Sequence, residues 1–180
     1  MATHNDLQMF HVSFDTAGYM NAVKGIISTC LDILSQRMQE VLKRAIYACS
    51  ESSGIMKAAT AALVRERSRS ITDTSVEIEV GCDPSEAGDI QQFIRASVTL
   101  WGNGEVWARA GGSGWTKHVG SLHKNHVAFD YRLAMFEQGD HSAQMEQQFY
   151  QEIQRDANDF LNMVAALIAA IDMSQYLQIG

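Results

Sequence analysis

The fold turns on residues 16–50, "TAGYMNAVKGIISTCLDILSQRMQEVLKRAIYACS". Met20, Val23, Ile27, Cys30, Leu31, Leu34, Met38, Val41, Leu42, Ala45 and Cys49 recur in steps of three and four, while Lys24, Asp32, Arg37, Lys43 and Arg44 mostly take the other side. That period is one long amphipathic helix. A helix of about 35 residues is roughly 50 Å long at 1.5 Å per residue. A compact chain of this length has a radius of gyration of about 16 Å, so a diameter of about 40 Å. The helix therefore matches or exceeds its own globule. It must bend, or the molecule must be elongated and pack against something else.

Outward from this helix the period changes. Before it, "QMFHVSFD" alternates Phe10, Val12 and Phe14 against His11, Ser13 and Asp15, which predicts a strand over 8–14 with one buried face. Asp15 or Thr16 then offers the N-cap. After it, Gly54 breaks the helix, and "IMKAATAALVRERS" extends the helical reading through residue 68. "TSVEIEVG" alternates Val76, Ile78 and Val80 against Glu77 and Glu79, giving a strand over 75–81. In "IQQFIRASVTLW" the residues Ile90, Phe93, Ile94, Val98 and Trp101 fit a helix face, so 90–101 is expected to be helical. A loop region follows over 102–126, with a short strand at Val106 to Arg109. A strand is expected over 127–136 and a second long helix over 143–173. The expected fold is α+β in a single domain, 1–180: a small antiparallel sheet packed against two long helices, N-terminal and C-terminal, with a Gly/Trp-rich loop.

The chain has 14 Lys+Arg against 21 Asp+Glu, a net charge of −7. An acidic balance argues against tight DNA binding, which depends on cations neutralising phosphates. The first ten residues do not read as a signal peptide. The most apolar segment, "FLNMVAALIAAIDM" at 160–173, is interrupted by Asn162 and falls short of the roughly 20 residues of a membrane helix. A soluble protein made in a cytoplasm is expected. Cys30, Cys49 and Cys82 form no CxxC pair; Cys30 and Cys49 fall among the apolar positions of the helix, and a buried free thiol is the simplest reading of both.

The stretch richest in candidate chemistry is "WGNGEVWARAGGSGWTKHVG", 101–120. It is not a phosphate loop. In "GGSGWTK", Lys117 follows Gly114 by three residues with Trp115 between, so backbone N–H groups and lysine do not converge as in GxxxxGK[ST]. "GNGEVW" puts Trp107 where a dinucleotide fingerprint needs its third glycine. His118, His123 and His126, with Asp130 and His141 beyond, could hold a metal only if the loop folded tightly. They support an alternative reading as a small metal-dependent hydrolase. No GxSxG elbow is present, and the carboxylates Asp130, Glu137 and Asp140 read as a solvated surface. Three tryptophans in a glycine-rich segment must be covered from beneath or by a partner. Trp101, Asn103, Trp107, Trp115, Lys117 and His118 are thus the candidate protein-interface residues, with no cofactor or metal expected.

The order strand, long helix, "SGIMKAA" (53–59), strand "VEIEVG" (76–81), then "FIRASVTLWGNG" (93–104) resembles the neck and tail-completion proteins of long-tailed bacteriophages. Ser53, Gly54, Ile55 and Met56 match that family's Thr-Gly-x-Leu step loosely. Trp101 to Gly104 match its Gly-Asn closure, and Trp115 to Lys117 its lysine- and tryptophan-bearing loop. The chain departs in lacking a proline before Ser53 and an acidic residue before Gly102. The resemblance implies a non-enzymatic virion protein of the head–tail joint, assembled in host cytoplasm into a homo-oligomeric ring, commonly hexameric. It would sit between the head connector or stopper and the tail-tube or terminator proteins, with double-stranded DNA passing through unread and no membrane involved. Neck, terminator and stopper all remain open, as does a non-viral soluble interaction module.

Overall fold

In the computed structural model the described residues are 11–48, 54–82, 93–101, 116–122, 125–132 and 140–179. They form an α+β fold. The elements run β1 (Val12–Phe14), α1 (Thr16–Ala48), α2 (Gly54–Leu63), β2 (Arg65–Ile71), β3 (Ser75–Gly81), β4 (Phe93–Trp101), β5 (Thr116–Leu122), β6 (Asn125–Arg132), α3 (Asp140–Ala169), a 3-10 turn (Met173–Tyr176) and β7 (Leu177–Ile179). Five strands make one antiparallel sheet in the order β2-β3-β4-β6-β5, and β1 pairs with β7 in a separate two-stranded ribbon.

The long helix starts where the sequence caps it. Asp15 Oδ1 accepts the Gly18 N–H at 2.9 Å, and the Asp15 carbonyl accepts from Tyr19. Its 33 residues span about 50 Å. The buried side chains of α1 all lie in its second part: Cys30, Leu31, Leu34, Ser35, Met38, Val41, Leu42, Ala45 and Ile46. Met20, Val23 and Ile27, on the same stripe, are only half-buried. The apolar stripe runs the whole helix, but the core occupies only part of it.

That core faces β3 and β4. Ile78 stands opposite Val98 and Val80 opposite Ala96, and with Ile94 and Leu100 they form the apolar face of the sheet. From α3, Phe149, Tyr150, Ile153, Ala157 and Phe160 join the same cluster. Ion pairs tie the helices along their flank: Arg44 Nη2 meets Glu152 Oε2 at 2.6 Å, and Arg37 reaches Asp159 and Asp156 at 3.3 and 3.7 Å. Cys30 and Cys82 are buried free thiols, while Cys49 lies outside the described residues. Among the described residues no helix is long and apolar enough to cross a membrane.

Several expectations are corrected. Residues 65–68, read as helix, open β2. β2 is a sheet edge whose sequence, Arg-Glu-Arg-Ser-Arg-Ser-Ile, carries charge in place of an apolar stripe, as edge strands do. Residues 93–101, read as helix, are strand β4. Ile94, Ala96, Val98 and Leu100 alternate with Arg95, Ser97 and Thr99, and the sheet pairing on both sides selects that phase over the helical one. The 102–126 loop region contains β5, and β6 begins at Asn125; Val106 to Arg109 lie outside the described residues. α3 begins at Asp140 and stops at Ala169, short of residue 173. β1 does not bury one face, because it pairs only with β7. There is also a third helix, α2, which follows α1 and leads into β2.

Candidate functional site

The predicted contact residues fall on two strands. Trp101 ends β4 opposite Ser75 of β3. Lys117 and His118 lie on β5, the sheet edge opposite to β2, paired with Phe129 and Ala128. The β5–β6 register slips between His118 and Ser121, and an edge strand of this kind offers backbone groups to a partner. Asn103, Trp107 and Trp115 lie outside the described residues. Of the histidines, His126 pairs with Thr99 on one side and Ser121 on the other, while His118 pairs two positions further along β6. Asp130 stands opposite Arg95 and Thr116. His141 belongs to the first turn of α3, and His123 lies outside the described residues. Among the described residues no three His, Cys, Asp or Glu converge as metal ligands.

A second surface was not foreseen. The first half of α1 and the last third of α3 form an arm at the margin of the core, where Ile26, Ile27, Leu161, Met163 and Val164 pack against the core cluster without being fully buried. No side chain of α1 from 16 to 29, or of α3 from 161 to 169, is buried. Yet the arm is almost free of charge. Lys24 is its one charged residue, and every charge of α3 (Asp140, Glu146, Glu152, Arg155, Asp156 and Asp159) precedes Phe160. Ala165, Ala166, Leu167 and Ala169 are exposed, while Leu161, Met163, Val164 and Ile168 are partly buried. A helix face that is solvated for good carries charged residues. An exposed helix without them is the composition of an interface core, where charge is depleted.

At the tip of the arm sits the β1–β7 ribbon. Val12 pairs with Ile179 and Phe14 with Leu177, so all four apolar side chains share one face. That face is open: Val12 is 60% exposed, Ile179 74%, Leu177 48% and Phe14 37%. The ribbon is anchored to the helix start. Asp15 N–H donates to the Tyr176 carbonyl at 2.8 Å, and Phe14, Tyr19 and Tyr176 stack edge-to-tilt with centroids 5.6–6.1 Å apart. Asp172 caps the 3-10 turn beneath it, accepting from the Ser174 N–H and hydroxyl; those bonds hold its carboxyl below the usual range.

At the base of the arm is a half-open cleft of about 310 Å³. Ile27, Val76, Leu100, Phe160, Leu161 and Val164 form its apolar floor, and the β2–β3 turn, Thr72 to Ser75, forms its rim. The turn is self-bonded: Thr72 Oγ1 accepts the Ser75 N–H at 2.9 Å, and the Thr72 N–H donates to the Ser75 carbonyl. Lys24 bridges from α1 to Asp73 at 2.8 Å, which holds the Asp73 carboxyl below its usual range and leaves the rim neutral.

The sequence signals for this second surface were the charge-free run from Phe160 to Ile171 and the alternating "YLQI" end. The arrangement offers apolar area, an anchored ribbon and a cleft, which are means of binding protein. Compared with family models, curated proteins and solved structures, the chain finds no match.

Proposed function

We propose that this chain is a structural subunit of the bacteriophage head–tail joint, a neck, tail-completion or tail-terminator protein that forms a ring around the DNA channel and links head connector to tail tube. The observation that carries the reading is the charge-free arm. In a chain of net charge −7, an exposed surface nearly without charge is built to be covered by protein. The likeness of residues 53–59, 76–81 and 93–104 to neck proteins supports the same reading. So does the length of α1, which exceeds what its core uses.

On this reading the Gly/Trp segment and the β5 edge, with Trp101, Asn103, Trp107, Trp115, Lys117 and His118, form a further contact to a neighbouring protein of the joint. The acidic charge also has a use. A hexamer would carry about −42 in total, and carboxylates facing the channel repel DNA phosphates, so that the genome passes without sticking.

The reading is tested in the virus that encodes the chain. A nonsense mutation in its gene should give filled heads and finished tails that fail to join, and the gene should lie between those for portal and capsid and that for the tail tube. Normal virions from the mutant contradict it.

A further inference from the structure

We propose that the face of the sheet turned away from the helices binds a hydrated divalent cation, held by Glu77 and Glu79 of β3 and bedded on Ser97 and Thr99 of β4. The site does not depend on the ring reading above.

Antiparallel pairing fixes the arrangement. Glu79 stands opposite Ser97, and Glu77 opposite Thr99. Ile78, Val80, Ala96, Val98 and Leu100 belong to the core, so by alternation these four side chains share the other face. Directly opposed Cβ atoms lie about 4.5–5.5 Å apart, and positions i and i+2 of one strand about 7 Å. Two carboxylates and two hydroxyls therefore stand at the corners of one small rectangle.

The hydroxyls distinguish this place from an ordinary pair of acidic residues. Ser97 is 7% exposed and Thr99 6%, yet neither side chain has a hydrogen-bond partner among the described residues. Buried polar groups are normally paired, and one left without a protein partner marks a place for water or an ion. Glu77 is exposed and forms no ion pair or hydrogen bond among the described residues. Glu79 meets Arg95 Nη1 at 3.5 Å, too long for a strong charged hydrogen bond. Arg95 lies one row beyond Glu79, opposite Gly81, on the side away from Glu77. On β2 the residues opposite Glu79 and Glu77 are Ser68 and Ser70, which are small and exposed, so the carboxylates are reached from that edge.

Oxygen ligands of this kind suit a hard cation such as magnesium or manganese. Such an ion keeps several of its waters and is bound through one or two carboxylates. The two glutamates supply those carboxylates, and the ion cancels their mutual repulsion. Its waters are strong donors, which the Ser97 and Thr99 hydroxyls accept. The ion would then brace β3 against β4.

The test titrates the full chain with Mn²⁺ and follows the free ion by electron paramagnetic resonance. One Mn²⁺ should bind per chain with a dissociation constant below about 1 mM. Mg²⁺ should displace it, and the bound ion should raise the melting temperature. Glu77→Gln and Glu79→Gln should each weaken binding by about tenfold or more, and Ser97→Ala with Thr99→Val by about tenfold. Glu40→Gln, at an exposed position of α1, should leave it unchanged. Circular dichroism checks the fold of each variant. Should one fail to fold, Mn²⁺ broadening of amide signals in the wild type answers the same question: it should centre on Glu77, Glu79, Ser97 and Thr99, and broadening centred elsewhere overturns the proposal. Lack of saturable binding overturns it too. An equal loss in Glu40→Gln does so by showing diffuse attraction to an acidic chain. Binding that survives both glutamine variants and is lost in His126→Ala, the position opposite Thr99 on β6, moves the ion to the histidine-bearing strands and overturns the assignment.

Discussion

Arg69 on β2 reaches α1: its Nη2 lies 2.8 Å from Asp32 Oδ1. The same guanidinium forks onto Glu66 at 2.8 and 2.9 Å and donates to the Ser28 carbonyl at 3.1 Å. Arg69 stands opposite Ile78, so it occupies the core-facing side of an edge strand. An inward charge there blocks edge-to-edge pairing, and the fork removes the cost by satisfying the guanidinium inside the fold.

Replacing Arg69 with Met should therefore cost about 1–3 kcal/mol, the range for stranding a partly buried charged partner. The Arg69 bond is the main reason that the Glu66 carboxyl is held below its ordinary range. A lowered folded value gives stability that is fully present above the ordinary glutamate range and is lost as pH falls through the lowered value. Urea unfolding should show a gap between wild type and Arg69→Met that is constant near neutrality and closes in acid. A gap independent of pH refutes the assignment.

Asp156 behaves oppositely. It is buried on α3, and burial pushes its carboxyl above the ordinary range, with Arg37 at 3.7 Å offsetting only part of that. A raised folded value means that stability falls as pH rises through the ordinary aspartate range to the raised one. Asp156→Asn should melt higher than wild type at neutral pH and equal to it in acid. A lower melting temperature at neutral pH would mean that the Arg37 pair outweighs burial.

Two glycines should give opposite signs. Gly81 has φ +150°, and a Cβ there would collide with the Ile94 carbonyl oxygen and lie 2.7 Å from Arg95 Cα. Both are backbone atoms, so Gly81→Ala should lose at least about 1–3 kcal/mol to strain. Gly25, inside α1, has nothing within 4 Å of a built Cβ. Gly25→Ala should gain about 0.5–1 kcal/mol through helix propensity. Denaturant midpoints of the two variants check both.

The core boundary on the long helices predicts a step in sensitivity. Leu34 is fully buried and Leu167 is exposed. Leu34→Ala should cost about 2–5 kcal/mol, whereas Leu167→Ala should stay within about 0.5 kcal/mol. A large loss at Leu167 in the monomer would mean that the arm belongs to the folded core.

The α+β class and the long first helix could be read from the chain because Cys30 to Ile46 repeat at helical spacing against a buried face. β3 could be read because Glu77 and Glu79 break its apolar run at every second place. β2 was hidden because Arg65 to Ser70 carry no apolar residue for periodicity to act on. β4 was hidden because Phe93 and Trp101 fall out of phase with Ile94, Ala96, Val98 and Leu100, which let a helical spacing compete. β1 looked like a half-buried strand, and its exposure depends on pairing with β7, where Val12 meets Ile179 and Phe14 meets Leu177 from the far end of the chain; a local pattern carries no sign of that. The cleft was equally hidden, since Ile27, Leu100 and Phe160 come together only through the tertiary fold.

Electron microscopy of the purified chain, alone and mixed with the head-connector and tail-tube proteins that the proposed reading gives it as neighbours, tests the central claim most directly. The account predicts closed rings with a central channel, built of this chain and seated between the two neighbours. A chain that stays monomeric in every mixture, or that joins the complex as a single copy, contradicts it.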